Sequence, residues 1–165
     1  LRRRARGKPP QAMKPLLVGE ANPYGGDPEY ALYPLPLRAS GDRLCTLVMG
    51  LERRDYLDRF DRVNLCPERW SAPLSRKNAE IIQRERAGGV VVLLGSKVCA
   101  AFGFEYKPFT VTERWYGHGG AAPAAAGSST RFVLLPHPSG LCRVWNEPDA
   151  FRRARAALLA GGVLA

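Results

Sequence analysis

Cysteine is sparse and scattered. Cys45, Cys66, Cys99 and Cys142 include no Cys-x-x-Cys pair, so the spacing that opens a zinc or iron–sulfur site is missing and free, buried or half-buried thiols in a reducing compartment are expected. No metal or other cofactor is implied. Long apolar runs are also lacking: nothing is long enough to span a bilayer, and the basic N-terminus does not lead into the hydrophobic core of a signal peptide. A soluble, cytoplasmic protein with no membrane partner is the expectation. No stretch of 20 to 50 residues repeats, which sets solenoids and propellers aside. Acidic residues are few, 15 against 25 Lys and Arg, leaving a net charge of +10 and a pI near 10.0. A polyanion is the natural partner for such a chain, because surface cations gain affinity by releasing the counterions condensed on nucleic acid.

What is present fits one domain of 165 residues. Residues 1–14 read as a basic N-terminal tail and 15–165 as a single domain, with no obligate protein partner evident and a monomer expected. Four apolar segments recur at even intervals, Pro15 to Glu20, Phe60 to Leu65, Gly89 to Leu94 and Arg131 to Leu135. Val90 to Leu94 has the continuous β-branched character of a strand covered on both faces. Helical spacing lies between them: Leu44, Leu47, Val48 and Leu51 after Ser40; Ala79, Ile82 and Arg86 after Ser75; Ser96 to Phe102. A last helix is expected from about Asn146 as cap, with Asp149 in its first turn and Phe151, Ala154 and Leu158 on one face. The alternation predicts an α/β fold of three layers, α/β/α, around a central four-stranded parallel sheet. Gly117 to Ser129 breaks the rhythm and reads as a surface loop.

Polar turns follow these strands, and in a parallel sheet they share one carboxyl edge, where α/β proteins place their sites. Gly19-Glu20-Ala21-Asn22-Pro23-Tyr24-Gly25-Gly26 follows the first. Arg62-Val63-Asn64-Leu65-Cys66-Pro67 closes the second, and a carboxamide such as Asn64 offers donors and an acceptor in one plane, suited to a nucleobase edge. Gly95-Ser96 follows the third. His137-Pro138-Ser139-Gly140 follows the fourth and sets a histidine and a serine on a tight turn.

From about Leu16 to Leu159 the chain resembles the uracil-DNA glycosylase superfamily. Gly19 to Tyr24 looks like its first active-site motif, His137-Pro138-Ser139-Gly140-Leu141 like its second, and Val63 to Pro67 is similar to the segment supplying a base-reading asparagine. The resemblance implies a monofunctional DNA glycosylase that flips a pyrimidine, uracil by default, out of DNA and hydrolyses its glycosidic bond. It implies catalytic roles for His137, donating to the oxyanion that develops on the departing base, and for Asn22, where relatives carry Asp or Asn. An amide takes no proton at neutral pH, so Asn22 orients water only, and Glu20 or Asp27 remains open as the base. Base recognition falls to Asn64, to Tyr24 at C5, and to Tyr33 or Tyr30 as the stacking ring, since Leu35 stands near the usual phenylalanine position. DNA contacts are implied for Ser96 and for Ser139 and Gly140 with their turn amides. Leu141, Cys142 and Arg143 fall on the loop that fills the gap left by a flipped nucleotide. Trp145 is expected beneath that loop, and Trp70 and Trp115 in the core. The motif turns hold no lysine for a Schiff base, so no strand-cleaving step is expected. Two other readings stay open: a glycosylase for C5-modified cytosine of bacteriophage DNA, for which Gly25 and Gly26 leave room, and a non-catalytic DNA-binding module of the same fold.

Overall fold

The computed structural model describes residues 12–22, 25–115 and 129–165. Tyr24, the first eleven residues of the basic tail and all but the end of the Gly117 to Ser129 segment therefore lie outside the described residues. The fold is α/β. Its sheet has five strands, β1 (Leu16–Ala21), β2 (Asp61–Cys66), β3 (Val90–Leu94), β4 (Thr110–Trp115) and β5 (Ser129–Leu135), in the order β2-β1-β3-β5-β4. The four strands expected from the sequence are all present and mutually parallel. The expected four-stranded parallel sheet nevertheless needs correcting, because β4 adds an antiparallel fifth strand at the edge beside β5. Its Thr-Val-Thr alternation is a strand pattern, but Glu113 and Arg114 interrupt it and only one side is paired.

Alternate side chains of the sheet enter two cores. Leu17, Val92, Leu94, Val133 and Leu135 face one, closed by Leu44, Val48, Tyr56 and helix α5 (Ala150–Ala160). Leu16, Val18, Val91, Leu93 and Phe132 face the other, closed by Ala79 and Ile82 of α3 (Ala72–Glu85) and Val98 and Cys99 of α4 (Ser96–Ala101). Helices therefore cover both faces, and Val91 to Leu94 are fully buried. All four cysteines are free, three of them buried, and burial pushes the Cys45 thiol up to about 11.

The helices depart from expectation where specific bonds redirect the chain. The stretch after Ser40 begins as α1 (Ser40–Asp42) but widens into a π-helical turn, Arg43–Val48, continued by Met49 N–H donating to Leu44 O at 2.9 Å. A separate α2 (Arg53–Arg59) follows. Helix α3 starts before Ser75, with Ser71 as cap accepting from Leu74 N–H at 3.4 Å. Asn146 does not cap the last helix: Arg143–Asn146 is a 3₁₀ turn, Glu147 before Pro148 is extended, and α5 starts only after Asp149. Trp115 is also not in the core, being 63% exposed on the edge strand. Trp70 is half-buried against the second core.

Candidate active site

From β1 the chain runs to β2 on one side and then back past β1 to β3, so strand order reverses beside β1 and opens a crevice at the carboxyl edge. A cavity of about 420 Å³ occupies that edge. It brings together Asn22, Asn64, Tyr33, His137, Ser139 and Gly140, six residues from four separate segments that the sequence singled out. Asn22 is 5% exposed just past β1, its backbone N–H donating to Pro67 O at 3.2 Å beyond the end of β2. That bond locks the two strand ends together. Ser96, Leu141 and Arg143 do not line the cavity. Ser96 is exposed in the first turn of α4, Arg143 is exposed, and Leu141 is 93% exposed directly after Gly140.

The histidine is oriented from both sides. The Ser139 backbone N–H donates to His137 Nδ1 at 3.2 Å, which makes Nδ1 the acceptor and leaves the proton of the neutral ring on Nε2. Trp145 Nε1–H donates to His137 O at 2.7 Å from beneath, and its ring stacks on Phe151. Arg43 Nε–H donates to Pro138 O at 2.9 Å, tying the π-helical turn to the same loop. Burial lowers the His137 pKa below the ordinary 6.5; the Glu20 carboxylate opposes this and the Lys97 ammonium adds to it. A neutral imidazole with a fixed Nε2–H donor is the result.

Two glycines make the close packing possible. A Cβ on Gly19 would collide with Asn64 Oδ1, so the bare backbone of β1 is what lets the carboxamide of its ladder partner lie across it. Gly95, at φ +99°, follows β3, and a Cβ there would stand 3.1 Å from His137 Cβ and 3.4 Å from Glu20 Oε1. Only glycine suits that backbone and that space.

A further part of the wall is the segment from Tyr30 to Gly41, in which the sequence singled out only Tyr30, Tyr33 and Leu35 for a place in the site. Arg38, Ala39, Ser40 and Gly41 line the cavity as well. The segment is held by its carbonyls: Arg62 Nη1–H donates to Ala31 O at 2.8 Å, the buried Tyr56 hydroxyl to Leu32 O at 2.9 Å and Arg53 Nε–H to Pro34 O at 3.1 Å. Asp42 accepts from Arg38 N–H at 2.8 Å and closes the loop onto α1. Tyr33 meets Tyr30 edge to face at 5.4 Å between ring centroids and carries the Arg62 guanidinium 5.5 Å over its ring. The signal in the sequence was the Pro34-Leu35-Pro36 run, which marks an irregular wall rather than a helix ahead of α1.

The arrangement offers a hydrogen-bond donor, two carboxamides and an aromatic face around one space. Among the described residues no group of three His, Cys, Asp or Glu side chains is placed to hold a metal ion, and no helix is long and apolar enough to cross a membrane. No family model matches the chain, and neither does any curated protein.

Proposed function

We propose that the protein is a monofunctional DNA glycosylase of the uracil-DNA glycosylase superfamily, excising a pyrimidine flipped from DNA and leaving an abasic site. The observation that carries this reading is the convergence of His137, Asn22, Asn64 and Tyr33 on one cavity from segments up to 115 residues apart, 137 − 22. Cleaving an N-glycosidic bond builds positive charge on the deoxyribose and negative charge on the base, as in sugar hydrolysis. His137, neutral and holding its proton on Nε2, donates to the developing oxyanion without reorganising, which is where preorganised dipoles contribute most. Tyr33 stacks on the flipped base and Asn64 reads its edge. Asn22 holds water at C1′ through its carboxamide. Leu141, exposed beside the cavity, fills the vacated position in the stack.

Uracil is the first substrate to test. A pyrimidine enlarged at C5, such as modified cytosine of bacteriophage DNA, is the second, favoured by a cavity of about 420 Å³, a volume that holds drug-sized ligands. Purified protein incubated with uracil-containing and phage-type modified DNA should release free base, identified by mass spectrometry. His137→Ala and Asn22→Ala should each slow single-turnover release by about 10²-fold or more while DNA binding persists. Wild-type rates in both variants would reject the assignment, and tight DNA binding with no base released would reassign the protein as a non-catalytic module.

A further inference from the structure

We infer that Arg43 is an anion ligand beside this site: its guanidinium holds one phosphate of the DNA backbone next to the flipped nucleotide and ties that phosphate to the loop carrying His137. The inference rests on the glycosylase reading for the identity of the ligand and adds to it a residue of the π-helical turn, a segment that base release itself does not use. Arg43 opens that turn, its backbone N–H donating to the carbonyl of Ala39 on the cavity wall at 3.0 Å. Its side chain crosses to the His137 loop, where Nε–H donates to Pro138 O at 2.9 Å. That bond fixes the plane of the guanidinium. Nη1 then stands beside Gly140, 3.9 Å from where a Cβ on that glycine would lie, and Gly140 and Ser139 both line the cavity.

The cation is half-buried, and no carboxylate answers it. All 15 acidic residues lie among the described residues, and none of them forms an ion pair with Arg43. Asp42, its neighbour in sequence, is engaged elsewhere: Oδ2 accepts from Arg38 N–H at 2.8 Å and Oδ1 from Arg53 Nη2–H at 3.2 Å. Neither Nη group of Arg43 donates to another described residue, so Nε alone is occupied. A charge withdrawn from water is unfavourable unless a partner compensates it, and a guanidinium fork matches two oxygens of a phosphodiester. Arg38 and Arg143 differ in being exposed, with water to solvate them.

The turn itself is short of donors for an anion. Ser139 N–H is already engaged by His137 Nδ1 at 3.2 Å, which leaves these two residues the Ser139 hydroxyl and the Gly140 N–H. Arg43 supplies the charge that two neutral donors do not. It does not line the cavity, so its partner is the backbone passing the rim at Gly140 and not the base inside. Because the same guanidinium holds Pro138 O, the residue next to His137, gripping the phosphate steadies the loop that carries the imidazole.

The test sets wild type, Arg43→Gln and Arg43→Lys against DNA carrying a neutral methylphosphonate linkage, moved one position at a time along either side of the target nucleotide. Glutamine removes the charge and keeps an N–H donor for Pro138 O; lysine keeps the charge. One linkage should cost the wild type about tenfold in affinity and in single-turnover release. Arg43→Gln should lose about tenfold on unmodified DNA, flatten the slope of log affinity on log salt by about 1, and lose less than about twofold more at that one linkage. Its response to every other linkage should match the wild type, and Arg43→Lys should regain the response that glutamine lost. A guanidinium that only buttresses the loop would slow release in Arg43→Gln with the wild-type salt slope and the wild-type response at every linkage. That result overturns the assignment of Arg43 while leaving the glycosylase reading intact. A wild type that binds DNA and releases no base overturns the glycosylase reading, and the same scan read by affinity alone then decides Arg43. A protein that binds no DNA overturns both.

Discussion

The charge state of His137 is set by a contest between neighbours. Burial disfavours the imidazolium and dominates; Glu20 favours it, and Lys97 opposes it. Removing either neighbour should move the titration in opposite directions: Glu20→Gln lowers the His137 pKa further and Lys97→Ala raises it. The chain has two histidines, so NMR titration of imidazole signals assigned with a His118 variant reads this directly. An unmoved His137 signal in both variants would mean that the carboxylate and ammonium are too screened to act on the ring. The same shift has a sign for stability. The folded protein holds His137 neutral below the ordinary value of about 6.5, where the unfolded chain already binds a proton. Its contribution is therefore complete above that pH and is lost as pH falls through the lowered folded-state value. Single residues were also where the sequence was most readable. His137 and Asn22 sit on turns just past their strands, Asn64 sits near the end of β2, and all three line the cavity.

A glycine of β1, and not the asparagine alone, sets how Asn64 is presented. Gly19 and Asn64 are ladder partners in a parallel pair, so their side positions fall on the same face of the sheet. Gly19→Ala would drive a methyl into the Asn64 carboxamide, and β1 and β2 would have to separate or the amide swing away. Overpacking of this kind costs about 1–3 kcal/mol. Urea unfolding should show that loss, and base release should fall by more than the unfolded fraction accounts for, because on the proposed reading the displaced group is the one that reads the base. Retained release with ordinary selectivity would place base reading elsewhere. Elements built on apolar runs could be read in advance, β3 above all, since burial on both faces leaves nothing but Val and Leu. Elements whose limits depend on distant bonds could not. The Trp145 indole donates to the His137 carbonyl and holds Trp145 inward on the 3₁₀ turn of residues 143–146, and α5 starts only beyond that turn. The wall from residue 30 to 41 is similarly fixed by Tyr56, Arg62 and Arg53, none adjacent in sequence.

The excess of 25 Lys and Arg over 15 acidic residues gives the protein a long-range attraction for polyanions, which on the proposed reading means DNA, and this attraction carries no sequence information. Around the cavity the two components separate. Arg38, on the cavity wall, and Arg143, three residues beyond Gly140, are exposed, whereas Leu141 offers an uncharged side chain to solvent at 93% exposure. The cations should act through phosphate and the leucine through the stack. Fluorescence anisotropy with duplex DNA across a salt series should therefore separate them. Arg38→Ala and Arg143→Ala should each weaken binding uniformly across sequences and reduce the slope of log affinity on log salt by about 1. Leu141→Ala should leave the slope unchanged and thermal stability within about 0.5 kcal/mol, because its side chain touches little else. Its loss should appear instead as weaker binding and slower release on duplex, with single-stranded DNA, where no stack has to be refilled, nearly unaffected. Equal losses on both substrates would make Leu141 an ordinary surface contact, and unchanged salt slopes in the arginine variants would move the DNA track to another face of the protein.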